Sequence, residues 1–260
     1  MGKSETLAEW PSNPRMPQEN GEKAPKACGP GKIGGLFLPT RWQHLEKTKA
    51  YDFAAALPLI GFYLWVAWHL GAELIEASPG SASGAVTLDV VARGLSIAFA
   101  ALLVVLLVIR PVPWAKSEGI FPRIVAIGGG FASIAFLVLP TQALPIWLSG
   151  ISAASIVVGT AATIYSLAWL GRSFSLFPEA RTLVTKGPYR FVRHPVYLFE
   201  QVALFGVMLQ YALPWSPLLF AIQFGLQILR MRYEERVLAV CFPVYQAYSA
   251  RTARLLPGLY

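Results

Sequence analysis

Charge is what this chain has least of. Only 14% of its 260 residues are Asp, Glu, Lys or Arg, against about 25% in an ordinary soluble domain, and 55% are hydrophobic. That balance, with a mean hydropathy of +0.51, excludes a soluble class and predicts an all-α, polytopic integral membrane protein. Histidine and cysteine are scarce as well, at three and two. Cys28 and Cys241 stand far apart with no metal-ligand or redox spacing, so both are read as unpaired thiols and no metal site is expected. A net charge of +8 would suit nucleic acid, but the basic residues fall in short blocks between apolar runs. That pattern fits anionic lipid headgroups and membrane topology, and excludes a nucleic-acid face. Residues 1–50 hold no apolar run that would serve as a signal-peptide core. Gly29-Pro30-Gly31-Lys32 lacks the Ser/Thr and the spacing of a phosphate loop, and no internal repeat at transporter-like spacing is evident.

What is present divides into three parts. Residues 1–50, rich in Pro and Gly with eight Lys/Arg and five Glu, read as a mobile arm, with a weakly amphipathic piece over Trp42 to Lys49. Residues 51–170 supply four apolar runs long enough to approach the ~30 Å of a bilayer core: Tyr51–Leu74, Val90–Ile109, a Gly-rich Ile124–Leu139, and Ile146–Leu170. Residues 171–260 form a core of a basic loop, a hydrophobic hairpin (Val196–Tyr211 and Leu218–Leu229) and a helix that continues out of the last span. The connections Glu73–Asp89, Pro140–Pro145 and Leu213–Pro217 carry no Lys or Arg. Six spans with both termini and the basic loop on the cytosolic side therefore satisfy the positive-inside rule at every loop, although the short hairpin leaves tilted or partial crossing open.

The basic loop, Arg172 to Tyr197, carries Arg172, Arg181, Lys186, Arg190 and Arg193 against the single acid Glu179. His194-Pro195 closes it: Pro at the first helical position pre-sets the backbone, and His194 becomes a cap residue beside free N–H groups that attract a carboxylate or phosphate. Tyr189 and Tyr197 offer aromatic faces on either side. Beyond the hairpin, Arg230 and Glu234 share a helix face, with Glu235 one position round. A surface ion pair and interfacial tyrosines would look the same at this level, and the cost of charge at a membrane boundary makes a functional role as good a reading as that one.

The run Leu183-Val184-Thr185-Lys186-Gly187-Pro188-Tyr189-Arg190-Phe191-Val192-Arg193-His194-Pro195-Val196-Tyr197, followed by a hydrophobic hairpin and then Arg230 with Glu234-Glu235, resembles the isoprenylcysteine carboxyl methyltransferase family over roughly Gly171 to Gly258. Integral-membrane phospholipid methyltransferases share part of the pattern. The resemblance implies S-adenosyl-L-methionine as cofactor, bound by Thr182, Leu183, Val184, Gly187, Tyr189, His194, Pro195, Val196, Tyr197, Glu234 and Glu235. It implies Arg230 at the substrate carboxylate, with Arg230 and Glu234 as the catalytic pair. Arg181 stands where some relatives have a histidine. The lipid bilayer and a lipophilic or prenylated substrate are the implied partners, and the oligomeric state stays open.

The residues themselves are compatible with that chemistry. A carboxylate acceptor is already ionised at neutral pH and needs no base, so orientation and water exclusion would carry catalysis. An amine acceptor, as in phospholipid N-methylation, would require Glu234, Glu235 or His194 to act as base. Membrane sterol reductases, which use a nicotinamide cofactor, carry a loosely similar C-terminal segment, and a non-enzymatic scaffold or transport subunit gripping anionic lipid also fits the basic loop.

Overall fold

A computed structural model describes residues 49–76, 84–117 and 119–258. The expected arm over 1–50 and its amphipathic piece lie, apart from Lys49 and Ala50, outside them. The described chain is mostly helical: α1 (Lys49–Glu76), α2 (Gly84–Ile109), α3 (Phe121–Phe131), α4 (Ile146–Leu170), α5 (Pro195–Leu209), α6 (Trp215–Cys241) and α7 (Tyr245–Arg251). Two two-residue strands, β1 (Ala115–Lys116) and β2 (Glu179–Ala180), pair antiparallel and tie the connection after α2 to the basic loop.

Among the described residues, three stretches are long and apolar enough to cross a membrane: Lys49–Ala72, Val90–Ile109 and Ile146–Ser173. The other three expected spans take different forms. The third stops as an α-helix at Phe131 and tightens into a 3-10 turn over Ala132–Val138, short of the ~20 residues a spanning helix needs. The fifth is the 15-residue α5, about 22 Å at 1.5 Å per residue. The sixth runs without a break into the 27-residue α6, so the hairpin's second arm and the continuing helix are one rod. The outer faces remain apolar, with Trp68 78% and Ile146 92% exposed, an arrangement suited to lipid rather than water.

The helices pack by close backbone approach. α4 meets α5 through Gly159 and Gly206: a Cβ on Gly159 would lie 2.8 Å from the Ala203 Cα, and one on Gly206 2.5 Å from the Ser152 carbonyl oxygen. The Ser152 hydroxyl donates to the Gly206 carbonyl across the same contact at 2.7 Å. The glycines expected to permit close contact in the third apolar run do so against α6, Gly128 facing Leu226 and Gly129 facing Gln227.

Two ends of the bundle are thereby distinguished. At one, the charge-free connections meet: Gln142 N donates to Gln210 O, Ala212 N to Pro140 O, and Thr141 bridges Tyr211. At the other, Asp52 at the start of α1 accepts from Arg110, just past α2, at 2.9 Å and from Arg181 of the basic loop at 3.1 Å. Arg181 also donates to Glu179 at 2.8 Å. Cys241, expected as a free thiol, is disulfide-bonded. Separation along the chain says nothing about Cα proximity, which is what a disulfide requires.

Candidate active site

α5 begins at Pro195 with His194 as its cap residue; the His194 backbone lies outside the helical region (φ −126°, ψ 60°), and its side chain makes no cap bond. The imidazole turns instead to α6, with Nε2 3.1 Å from Glu235 Oε1. A parallel backbone pairing holds the loop in register: Val192 bridges Ala253, Arg193 N donates to Ala253 O at 2.8 Å, and His194 N to Arg254 O at 3.2 Å. Tyr248, on α7, donates to the Tyr189 carbonyl at 2.6 Å. The 252–254 segment thus acts as a splint for the loop.

The same segment delivers Arg254, which grips Glu235 with both ends of its fork, Nε to Oε1 at 2.9 Å and Nη2 to Oε2 at 2.7 Å. Arg193 reaches the same carboxylate at 3.2 Å. Burial would push the Glu235 carboxyl up, but the hydrogen bonds from His194 and Arg254 and the charges of His194 and Arg193 outweigh it and hold it at about 2. With the folded value below the ordinary carboxylate value, the clamp stabilises the fold above about pH 4.5 and loses its contribution as pH falls from there toward about 2. Arg254→Ala is expected to cost about 1–2 kcal/mol at neutral pH, the lower part of the range for charged hydrogen bonds because Arg254 is partly solvated. Thermal melting followed against pH should show the wild type and the variant converging as acid protonates Glu235; parallel curves down to pH 2 would remove the clamp.

Glu234, next along α6, faces a different neighbourhood. It accepts from Arg230 Nε at 3.2 Å and from the Tyr197 hydroxyl in a short hydrogen bond. The Arg230 guanidinium lies 4.9 Å from the Tyr197 ring centroid, and Tyr197 stacks on His194 at 5.5 Å. Arg230 is 4% exposed, so this ion pair is not the solvated surface pair that Arg and Glu four apart usually make. Burial, and after it the Glu234 charge, pushes the Tyr189 hydroxyl well up, so it stays protonated as a donor.

These groups line one end of a cavity of about 640 Å³. Thr182, Leu183, Val184, Tyr189, His194, Val196, Tyr197, Arg230 and Glu234 all line it. Three of the expected site residues do not. Pro195 is fully buried as the helix start, and Glu235 is the anchor of the clamp. Gly187 adopts φ +59°, and a Cβ there would lie 2.7 Å from Trp169 Cε2, so its place is conformational. The cavity's other end is apolar, walled by Phe62, Phe99, Ile134, Ile156, Leu204 and Val207. One chamber therefore joins a polar loop to the interior of the helix bundle.

The hydropathy reading misses a polar seam between α5 and α6. Gln201 Nε2 donates to Gln223 at 2.8 Å, Gln223 Nε2 to the Gly129 carbonyl at 3.0 Å, and Gln227 Nε2 to Glu200 at 2.8 Å. The available signal was spacing: Gln223, Gln227, Arg230 and Glu234 recur at four, three and four, one face of a helix. Among the described residues no cluster of three or more His, Cys, Asp or Glu could hold a metal ion.

Residues 147–244 match the family model described as phospholipid methyltransferase. The stretch takes in all but the first residue of α4, the basic loop, α5 and all of α6. The cobalt-zinc-cadmium resistance protein CzcN of Cupriavidus metallidurans is 34% identical over 99 residues, covering 36% of this chain and 46% of that protein. The chain thus spans less than half the length of that relative.

Proposed function

We infer that this chain is a membrane methyltransferase, moving a methyl group from S-adenosylmethionine to a lipophilic acceptor held partly within the helix bundle. The observation that carries this reading is the single cavity, polar at the basic loop and apolar between α1, α2, α4 and α5, together with the family match over 147–244. The polar end fits the donor. Glu234 offers an acid for a cation, Tyr189 and Tyr197 offer aromatic faces, and the fully buried Arg181 has Nε and Nη1 without a partner among the described residues, donors suited to a carboxylate. When bound, S-adenosylmethionine supplies an electrophilic methyl on a sulfonium. The residues of this chain orient the acceptor, keep water out and hold charge near the sulfonium. The positive-inside count puts this end on the cytosolic side.

The resemblance and the family description agree on methyl transfer and differ on the acceptor's head, carboxylate in the one and phospholipid in the other. Thermal melting of the full chain in lipid nanodiscs tests the donor. S-adenosylhomocysteine at about 100 times its Kd should stabilise by about 2.7 kcal/mol, a rise of roughly 5–10 °C, and NADPH should do nothing. Protection by NADPH alone would overturn the reading.

A further inference from the structure

One cavity-lining acid has no role in the clamp or in the donor end. Glu200, the one carboxyl group on α5, sits next to Gln201 and nearly two turns in from His194, and lines the cavity. A carboxylate at such a position is costly unless it is paired. The partner the fold supplies is neutral: Gln227, fully buried on α6, donates through Nε2 to Oε2 at 2.8 Å. Of the three acids lining the cavity, Glu179 is bonded to Arg181 and Glu234 to Arg230. Glu200 alone is hydrogen-bonded to an amide rather than a cation. Arg230 attracts it electrostatically, but one guanidinium then serves two carboxylates.

Resting on the methyl-transfer reading above, we propose that Glu200 selects the acceptor: it receives a cationic amine head and takes up its proton, so that the cavity methylates an amine-headed lipophile and disfavours a carboxylate. Position supports the acceptor rather than the donor. Glu200 lies about 9 Å along α5 from His194, and the next lining residues on the helix are Ala203, Leu204 and Val207. A tail lying among those side chains brings its head to Glu200, with the polar loop beyond it. Charge supports an amine. Beside Glu200, a carboxylate head would place a third acid near the guanidinium of Arg230, whose Nε is already bonded to Glu234, whereas an ammonium supplies the cation Glu200 lacks.

The other bases the sequence offers are engaged. Glu235 is clamped by Arg254 and Arg193, His194 is bonded to Glu235, and Glu234 is held by Arg230 and Tyr197. An alkylammonium has a pKa of about 10 and is not a nucleophile until it loses a proton. That proton passes from nitrogen to the Glu200 carboxylate. The freed lone pair forms the N–C bond to the methyl carbon as the C–S bond breaks, and its electron pair stays on sulfur, leaving a neutral thioether.

The test uses the full chain in phosphatidylcholine nanodiscs, radiolabelled S-adenosylmethionine, a long-chain primary amine and a long-chain S-prenyl thio acid. Wild type should label the amine in preference to the acid. Glu200→Gln, close in shape, should lower kcat/KM for the amine at least about 100-fold and weaken amine binding measured without donor. Its Kd for S-adenosylmethionine and for S-adenosylhomocysteine should each move by less than about threefold. Glu200→Asp, which keeps the charge, should recover part of the loss. Preference of wild type for the thio acid, or unchanged amine turnover in Glu200→Gln, overturns the proposal. A matching loss of S-adenosylmethionine affinity assigns the carboxylate to the donor and overturns it too. Should Glu200→Gln not fold, the wild-type acceptor preference decides. If the wild type binds neither donor nor S-adenosylhomocysteine, the methyl-transfer reading itself fails.

Discussion

Glu234→Gln is expected to lower methyl transfer by about 100- to 1000-fold, the effect of removing one fixed charge partner from a low-dielectric site. The carboxylate does two things that an amide of the same shape does not. It balances the buried Arg230 from 3.2 Å, and it places negative charge in the part of the cavity where a sulfonium would lie. Glutamine leaves Arg230, 4% exposed, without its bonded acid, an arrangement that also destabilises. Turnover is therefore measured beside S-adenosylhomocysteine binding and the melting temperature. Tyr197→Phe removes the other donor to Glu234 while leaving the charge, and should cost far less. Turnover of Glu234→Gln within about threefold of wild type, on folded protein, would remove Glu234 from the catalytic pair.

The second large effect is structural. Gly159→Leu should destabilise the bundle by about 3 kcal/mol or more, at or beyond the usual range for overpacking. What a side chain meets there is backbone, the Ala203 Cα at 2.8 Å, and not the flexible end of a residue that can swing aside. α4 and α5 must separate to admit it, and α5 carries His194, Tyr197 and Glu200 to the cavity, so activity should fall with stability. Gly150→Ala on the same helix, where a Cβ meets nothing within 4 Å, is the matched control and should be neutral or slightly stabilising. Equal melting temperatures for the two variants would show that the α4–α5 contact does not hold the bundle together.

Which parts were legible in the sequence follows from what each signal measures. The loop from Arg172 to Tyr197 and the return of Arg230 and Glu234 stood out because charge is rare in this chain, and the fold brings both to one cavity end. Glu200, Gln201, Gln223 and Gln227 were absorbed into apolar runs because hydropathy averages over a window, and a few polar side chains hardly move the mean. Only the pairing of α5 with α6 gives them meaning. Arg181 was ambiguous for another reason: its partner Asp52 lies 129 positions earlier, beyond any local pattern. The third apolar run looked like a span because composition does not record where an α-helix tightens. The role of Arg254 was hidden because nothing in the local sequence after α7 shows that its backbone neighbours pair with the loop before the histidine.

That pairing bears on how the protein is made. Val192 and Ala253 are joined by backbone bridging, and Glu235 is neutralised by Arg254. Every helix that walls the cavity precedes residues 252–254 in the chain, so the helices can insert and pack without them. The 192–194 stretch of the loop, however, has no backbone partner to lie against without them. Membrane integration and acquisition of activity are therefore separate events for this chain, and a released chain truncated after Arg251 should be integrated and helical but unable to bind its donor.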